Sequence, residues 1–194
     1  MMGTTQPIRR NEQIESLKEY FLSKGEIRNY VLVTMGINTA LRISDLLELC
    51  WGNVWNYSRN CFRKHLIIEE KKTRKQQIIY LNMACIHALQ LLQEHSSGYT
   101  DADWFLFQSR VGHNQHIGRN RAYYLIKSAW NELGYEGNIS CHSLRKTFGY
   151  HAWQNGVSPA IIMTVYNHSS MEITKRYLAI EQDDKDQVYR KLVL

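Results

Sequence analysis

The chain has 194 residues, which is enough for one domain with a complete hydrophobic core. Its apolar fraction of 44% is ordinary for a globular protein and excludes a largely disordered chain. The 24 Lys and Arg residues outnumber the 18 Asp and Glu residues, so the formal net charge is +6. This excess suits a polyanionic partner, although a solvated basic surface has the same charge.

The cysteines and the hydropathy pattern exclude several other classes of protein. The four cysteines form no C-x-x-C pair, so neither a zinc ribbon nor a disulfide framework is indicated, and we expect reduced thiols. No apolar run approaches the roughly 20 residues that cross a bilayer. The amino terminus also has no apolar core of a signal peptide. We therefore expect a cytoplasmic protein without membrane contact.

The first 40 residues predict an arm followed by two helices. Residues 1–10 are polar and contain Pro7, which is typical of a loose arm. From Asn11 to about Gly25, apolar residues recur with the helical period. A strongly apolar second helix is predicted over 27–35, with its place in the core. Residues 36–39 are predicted to break the chain.

The next segment predicts a short helix and a β-hairpin. Ser44 is a candidate N-cap for a helix over 45–49. Two apolar runs, at 62–69 and 76–81, flank a charged turn and indicate an antiparallel hairpin. A third strand is possible near 54–57.

The remainder predicts mostly helices. Helices are expected over 83–94, 120–133 and 142–154, with a short buried strand or edge at 104–107. Ser158 and Pro159 are a cap and first residue of another helix, and Ser169 or Ser170 caps the next. The expected fold class is therefore α+β, mainly α, with a small antiparallel sheet.

The stretch from Ser140 to Phe148 contains a histidine and an arginine three residues apart. Residues at this spacing share one face of a helix, so His142 and Arg145 are expected to face the same group, most simply an anion. Arg42 lies about a hundred residues upstream, in the sequence Ala-Leu-Arg-Ile-Ser-Asp-Leu-Leu. We interpret these residues as part of a phosphate site.

Further along the chain, Asn167-His168-Ser-Ser is followed by Tyr177, nine residues after His168. A phenol oxygen is a possible nucleophile toward phosphorus. With twelve tyrosines in the chain, composition alone would favour a core role for Tyr177. Its spacing from His168 favours the catalytic role.

Together these motifs resemble the catalytic domain of the tyrosine recombinase (phage integrase) family, over about residues 11–180. The segment around Arg42 is similar to the family's first-arginine box, and His142-Ser-Leu-Arg145 to its H-x-x-R box. His168 with Tyr177 is similar to its third histidine and nucleophile, and Lys72-Thr73 in the hairpin turn to its mobile lysine. Each box alone is a weak signal, but four in order are specific.

The sequence departs from the family pattern in two places. Tyr166-Asn167 stands where Leu-Gly is usual before the third histidine. The sequence does not include the amino-terminal DNA-clamping domain usual in the family, so we expect either a fragment or one of the short members that consist of little more than the catalytic domain. We therefore expect residues 11–180 to be the catalytic domain, and 181–194 to be a helix or tail that docks on a neighbouring subunit, as the family does.

The resemblance implies a role for each motif residue. Arg42 and Arg145 would grip the scissile phosphate, because a guanidinium offers two donors to two phosphate oxygens. Tyr177 would form a 3′-phosphotyrosyl bond, while His142 would act in proton transfer and His168 would donate to a phosphate oxygen. Salt bridges and core packing are the structural alternatives. His65, His87, His95 and His151 are expected to be structural.

The departing 5′-hydroxyl needs a proton, and Lys72 is the candidate general acid. Lys71 and Lys75 remain open as competitors, because periodicity cannot separate neighbours on a turn. A solvated charge run that only touches DNA is a further alternative for these lysines. Asp45, three residues after Arg42, is a candidate support for that arginine or only a charge at a helix N-terminus.

Basic residues outside the motifs are candidate contacts to the DNA backbone. These are Lys71, Arg74, Lys75, Arg110, Arg119, Arg121 and Lys127. The pair His113-x-x-His116 lacks further ligands at a suitable spacing, so no metal site is expected, and no cofactor.

The resulting hypothesis is a site-specific recombinase or integrase acting on double-stranded DNA in the cytoplasm, associated with the nucleoid. By resemblance it would be a monomer in isolation and a tetramer on DNA. A type IB topoisomerase that nicks and reseals one duplex is the first alternative. A non-catalytic DNA-binding module is the second. A basic structural or RNA-binding protein has only the charge in its favour.

Overall fold

The structure is a computed structural model and describes residues 5–178 and 189–190. The helices in this part of the chain are α1 (Asn11–Ser23), α2 (Ile27–Thr39), α3 (Ile43–Leu47), α4 (Trp51–Val54), α5 (Met83–Glu94), α6 (Arg119–Glu132), α7 (Cys141–Gln154), α8 (Pro159–Val165) and α9 (Met171–Leu178). The strands are β1 (Trp55–Asn56), β2 (Cys61–Phe62), β3 (His65–Glu69) and β4 (Gln76–Tyr80). The predicted class, mainly α with a little antiparallel β, is confirmed.

Helix α2 is the centre of the packing, as its apolar sequence predicts. It contacts α1, α5 and α7, and Val31 and Met35 are completely buried. The helix continues to Thr39, so the predicted break at 36–39 is wrong. Gly36 sits in its last turns because a Cβ there would lie 2.6 Å from Cδ1 of Leu144 on α7. The glycine thus permits close contact between α2 and α7.

The predicted hairpin is confirmed, but the sheet around it differs from the prediction. Strands β3 and β4 pair antiparallel, with Ile67 opposite Ile78. The strand expected near 54–57 does form, as β1, but it pairs with β2 in a separate two-stranded sheet. The predicted run 62–69 is therefore divided between β2 and β3.

Three segments near the hairpin also differ from their predicted structure. Arg42, with extended backbone, is the N-cap residue of α3, so the helix begins two residues earlier than a cap by Ser44 would allow. Helix α4 was not predicted. Residues 104–107 form only an isolated bridge between Cys50 and Phe105, because this segment crosses the core as a turn.

The last three helices agree with the sequence signals. Ser158 caps α8, where its side chain accepts from the backbone N–H of Ala160. The Ser170 hydroxyl accepts from the backbone N–H of Ile173 at 3.4 Å, at the start of α9. After α7 the chain reverses direction before α8 and again before α9, and both helices contact α7.

The amino-terminal segment is bound rather than loose over the part that is described. Ile8 is buried, and its N–H donates to Oγ1 of Thr147 at 2.9 Å. Its carbonyl oxygen lies 3.0 Å from Nε2 of His151. The predicted loose arm is therefore wrong for residues 5–10, because Ile8 completes a core cluster between α1 and α7. Of the predicted C-terminal segment 181–194, all but 189–190 lies outside the described residues.

The cysteines and the hydropathy of the helices can be stated for the same part of the chain. Cys50, Cys61, Cys85 and Cys141 are free thiols. Among the described helices, none has the length and apolar character to cross a membrane.

Candidate active site

The site begins at the amino-terminal end of α7, where a capping box fixes the first turn. The Ser140 hydroxyl accepts from the N–H of His142 at 3.2 Å, and the Ser140 N–H donates to Oγ of Ser143 at 3.0 Å. These reciprocal bonds satisfy backbone donors that have no partner within the helix. The helix therefore presents His142 and Arg145 from its first two turns.

Arg145 is buried in a cage of backbone oxygens. Its side chain is 1% exposed, and its guanidinium donates to the carbonyl oxygens of Ala40 and Tyr166, the latter at 2.8 Å. Its Cζ lies 4.5 Å from the centre of the Tyr166 ring. Its Nε has no hydrogen-bond partner within the described part of the chain. Burial, and then the charge of Arg42, lower the pKa of Arg145.

Tyr166 holds Arg145 in place through two hydrogen bonds. Its hydroxyl donates to the carbonyl oxygen of Arg145 at 2.6 Å, so the two residues bond to each other twice. A Cβ at Gly149 would lie 2.3 Å from that hydroxyl, so glycine is needed at this position on α7. Tyr166 therefore fixes both the guanidinium and the backbone of Arg145.

Arg42 is held from the hairpin side. Its Nη1 lies 2.5 Å from Oε1 of Glu70, and the Arg42 side chain remains 19% exposed while Glu70 is fully buried. Burial alone would raise the pKa of Glu70, but bonds from Arg42, Thr73 and Asn167 outweigh it, so this pKa lies below its ordinary value. The carboxylate is therefore charged at neutral pH and holds Arg42 at the edge of the cleft.

Tyr177 on α9 is surrounded by aromatic rings from the other motifs. The centre of its ring lies 5.0 Å from that of His142, 4.6 Å from that of His168 and 5.1 Å from that of Tyr166. Nζ of Lys146 lies 5.9 Å from the Tyr177 ring centre. The tyrosine and both motif histidines thus meet at one place, as the sequence hypothesis requires.

Both histidines favour the neutral form. Desolvation by the surrounding protein, and then the charges of Lys146, Arg145 and Arg42, lower the pKa of His142 to about 4. Desolvation, followed by the two arginines, lowers the pKa of His168 to about 4 as well. His142 stands at the open cleft, so water screens part of its repulsion from these cations. Nδ1 of His168 lies 3.1 Å from Oγ1 of Thr174, which orients the ring.

An open cleft of about 610 Å³ lies beside these residues. Its lining residues are Arg42, Ile43, Ser44, Leu47, Glu48, Lys71, Lys72, His116, Arg119, His142 and Tyr177. Arg145 and His168 are not among the residues that line it. Four of the six predicted catalytic residues, including Lys72, therefore face one cleft.

The three candidate lysines of the hairpin turn differ in their surroundings. Lys71 and Lys72 both line the cleft, but Lys71 is already paired with Glu48. Lys75 is exposed, and its backbone N–H lies 3.4 Å from the Thr73 hydroxyl. This geometry favours Lys72 as the lysine with an available ammonium group in the cleft.

Asp45 contacts the hairpin and not the guanidinium it was expected to support. Its Oδ1 accepts from the backbone N–H of Lys71 at 3.2 Å, whereas the carboxylate that pairs with Arg42 belongs to Glu70. Burial raises the pKa of Asp45. Asp45 therefore positions the turn that carries Lys72.

The predicted DNA-backbone residues are spread over two regions around the cleft. Arg74 in the hairpin turn pairs with Glu69 at 2.9 Å, and both side chains are largely exposed. Arg119 lines the cleft. Arg110, which precedes it in the chain, and Arg121, which follows it, are exposed. Lys127 lies further along α6, where its Nζ is 3.5 Å from the carbonyl oxygen of Gly137.

Sequence reasoning missed several residues of the site. Glu70 gave no signal beyond its position before the turn lysines, and Lys146 none beyond its place one position after Arg145. Tyr166 and Asn167 were noticed only as departures from the family pattern. Asn167 has φ +52°, the left-handed region where glycine is usual and asparagine is tolerated. That conformation explains which residue types can stand before His168.

The paired histidines of the loop before α6 have other contacts. The His113 ring packs on Trp104 with ring centres 5.3 Å apart, and Nε2 of His116 lies 4.0 Å from Oε1 of Glu48. Across residues 5–178 and 189–190, no group of three or more potential ligands is arranged to hold a metal ion.

Comparison with known proteins agrees with this geometry. The family model described as "Phage integrase family" matches residues 9–183. The chain is 38% identical to "Probable integrase/recombinase YoeC" of Bacillus subtilis over 192 residues, with 97% of each chain covered. It is 23% identical to "Tyrosine recombinase XerC" of Leptospira interrogans, covering 93% of this chain but only 55% of that relative. The chain thus spans about half the length of this XerC.

Solved structures show the same fold. The crystal structure of XerA recombinase matches with a TM-score of 0.74 at 20% identity, covering 97% of this chain and 66% of that chain. XerH site-specific recombinase, in a post-cleavage complex with a palindromic difH substrate, matches with a TM-score of 0.73 at 18% identity, covering 96% and 53%. Since the family model matches nearly the whole chain and four of the six motif residues face one cleft, this protein belongs to the phage integrase family, the tyrosine recombinases, which are DNA strand-transferring enzymes.

Proposed function

We propose that this protein is a site-specific recombinase that breaks and rejoins double-stranded DNA through a 3′-phosphotyrosyl intermediate. The observation that carries the proposal is the position of Tyr177. Its ring lies within 5.0 Å of the His142 and His168 rings, measured between centres, and it lines the same cleft as Arg42 and Lys72. A core tyrosine would not need two histidines and an arginine-lined cleft around it.

In the proposed cleavage step, the Tyr177 oxygen forms a bond to phosphorus as the bond from phosphorus to the 5′-oxygen breaks. The phenolic proton passes to the imidazole of His142, which is unprotonated at neutral pH because its pKa is lowered. The ammonium of Lys72 gives a proton to the departing 5′-oxygen. The bond energy is kept in the phosphotyrosyl linkage, so no external energy source is required.

The remaining residues stabilise the charge that develops on the phosphate oxygens. Arg42 and Arg145 supply permanent positive charge, and a neutral His168 donates one hydrogen bond. Arg145 does not line the cleft and is held by the Ala40 and Tyr166 carbonyls, so in this proposal its fixed charge acts on the phosphate from a buried position. Asp45 contributes indirectly through its bond to the Lys72-bearing turn.

Rejoining is the same step in reverse, with a 5′-hydroxyl that attacks the phosphotyrosyl bond. If that hydroxyl belongs to a second duplex, the result is recombination. The structures of XerH bound to its difH substrate support DNA as the substrate here, and the likeness to an integrase/recombinase supports exchange between duplexes. The proposed assembly is a monomer in isolation and a tetramer on DNA.

The test is covalent trapping. Labelled duplexes with a randomised core and a nick release the 5′-hydroxyl fragment by diffusion once cleavage occurs, so a denaturing gel reports the protein–DNA adduct. Wild type is expected to form the adduct, whereas Tyr177→Phe is expected to bind DNA and form none. Tyr124→Phe is the matched control, because this tyrosine is 64% exposed on α6.

An adduct that persists in Tyr177→Phe would refute the nucleophile assignment. Relaxation of supercoiled plasmid without exchange between duplexes would indicate the topoisomerase alternative. DNA binding without any adduct in wild type would indicate the non-catalytic module.

A further inference from the structure

We propose that Glu70 is a positioning residue for this reaction: its buried carboxylate holds Arg42, the Lys72-bearing turn and the segment before His168 in one arrangement. The inference rests on the proposed function, because it concerns how the groups that cleave DNA are held in position. Glu70 belongs to none of the motifs in the sequence. Its importance follows only from the contacts it makes.

The first part of the argument is the contact set. Oε1 of Glu70 lies 2.5 Å from Nη1 of Arg42, and its Oε2 accepts from the Thr73 hydroxyl at 2.6 Å. The same Oε2 accepts from Nδ2 of Asn167 at 3.3 Å. One carboxylate therefore contacts three segments that are distant in sequence and that each carry a predicted catalytic residue.

The second part is burial. Glu70 is 0% exposed, and a buried carboxylate is retained only where donors or cations compensate for its lost hydration. Here that compensation is supplied by residues of the site. If the turn or Arg42 moved away, the charge of Glu70 would be left without its partners. The arrangement of all three segments is thus coupled through this group.

The third part is the identity of residue 167. Its backbone is left-handed, a conformation that glycine adopts with the least strain. Asparagine tolerates it and adds an amide that reaches Glu70, which glycine cannot do. Asn167 therefore links the His168 segment to the hairpin through a contact that a glycine at this position could not make.

Charge predicts a distinctive signature for the loss of Glu70. The carboxylate lies among Arg42, Arg145 and His168, so Glu70→Gln removes a negative charge from a cationic site. The affinity of Glu70→Gln for DNA should then equal or exceed that of wild type. Cleavage should slow, because Arg42 and the turn lose their common anchor. A variant that merely unfolded would weaken both.

The experiment measures DNA affinity and the single-turnover rate of adduct formation at saturating DNA. We expect Glu70→Gln to lower the rate by about tenfold or more without weakening affinity, since small displacements of catalytic groups are costly. Glu69→Gln is the matched control: it removes the same charge one residue away, from a side chain that is 54% exposed. It should leave the rate within about twofold of wild type.

A second variant protects the test against misfolding. Asn167→Gly keeps the left-handed backbone and removes only the amide, so the fold should be retained. We expect a loss in rate of a few fold, and no further loss when Asn167→Gly is added to Glu70→Gln, because both remove one network. Full additivity of the two losses, or equal rates for Glu70→Gln and Glu69→Gln, would overturn the inference.

A measurement without DNA separates this inference from the proposed function. Amide hydrogen exchange in residues 71–74 should be faster in Glu70→Gln than in wild type, and unchanged in Glu69→Gln. If wild type forms no adduct, the proposed function fails, and unchanged exchange in Glu70→Gln would independently refute the anchoring role. If wild type forms the adduct and only the Glu70 comparison fails, the proposed function stands without it.

Discussion

The two sides of the cleft are built in opposite ways. On the α7 side, Arg145 is 1% exposed and bonded to two carbonyl oxygens and a tyrosine ring. On the hairpin side, Lys72 is exposed on a turn. In the proposed mechanism, the charge that is fixed before the reaction is held by buried bonds, whereas the proton donor for the leaving group sits on an exposed turn. Among the described residues, the Glu70 contacts link Arg42 and the hairpin turn to the segment before His168.

The largest expected effect is at Arg145. Arg145→Lys keeps the charge but cannot donate to both the Ala40 and Tyr166 carbonyls. We expect cleavage to fall by about 100- to 1000-fold. Stability should fall by about 2 kcal/mol, because a buried acceptor loses its partner. Trapping assays and urea unfolding measure the two quantities.

Arg42→Lys sharpens this comparison, since Arg42 is partly exposed and holds a single carboxylate. We expect a similar loss of cleavage with a smaller loss of stability. Equal stability losses for the two variants would contradict the contrast between a buried and an open side.

The next effect is at Lys72. Lys72→Ala should slow cleavage by about 100-fold or more, because the 5′-oxygen would leave without a proton. A substrate with sulfur in place of the bridging 5′-oxygen should restore most of the rate, because a thiolate leaves without protonation. Single-turnover trapping with the two substrates measures this.

Lys71→Ala is the neighbouring control. Lys71 is paired with Glu48, so its loss should change the rate only a few fold and equally for both substrates. Selective rescue of Lys71→Ala by sulfur would instead make Lys71 the general acid.

A smaller effect is expected where basic residues only contact the DNA backbone. Arg119→Ala and Arg121→Ala should weaken binding, and each should reduce the slope of log affinity against log salt by about 0.9 if one phosphate contact is lost. Lys24→Ala is the control, since Lys24 pairs with Glu132 at the far end of α6. A slope unchanged by the arginine variants would remove α6 from the DNA interface.

The smallest expected effect is the dependence of stability on pH. The folded protein holds the pKa of His142 and His168 at about 4, below the ordinary 6.5. The unfolded chain therefore binds protons first as pH falls from about 6.5 toward 4, so stability is lost across that window. The melting temperature should drop over this range.

The double variant His142→Asn, His168→Asn should flatten this dependence between pH 6.5 and 5, above the range where most carboxylates titrate. His87→Asn, at an exposed position on α5, should not. An unchanged pH profile in the double variant would mean that these imidazoles do not contribute to it.

The sequence predicted the elements whose signals are local. The hairpin, the helix over 142–154 and the start of α8 at Ser158-Pro159 all follow from short-range chemistry. The break expected at 36–39 failed because packing against Leu144 overrides the weak helix propensity of Gly36. The prediction of a loose arm failed because Ile8 is buried against residues of α1 and α7, and that surface forms only in the folded protein.

For the site, the sequence by itself determined which residue types are available and in what order. Arginine, histidine, lysine and tyrosine at these spacings resemble the motifs of the family, and the proposed chemistry requires those groups. Only the tertiary structure decided that Glu70, and not Asp45, pairs with Arg42, and that Tyr166 and Asn167 bind Arg145 and Glu70. These contacts join segments up to about a hundred residues apart, and no local pattern records which buried donor will meet which acceptor.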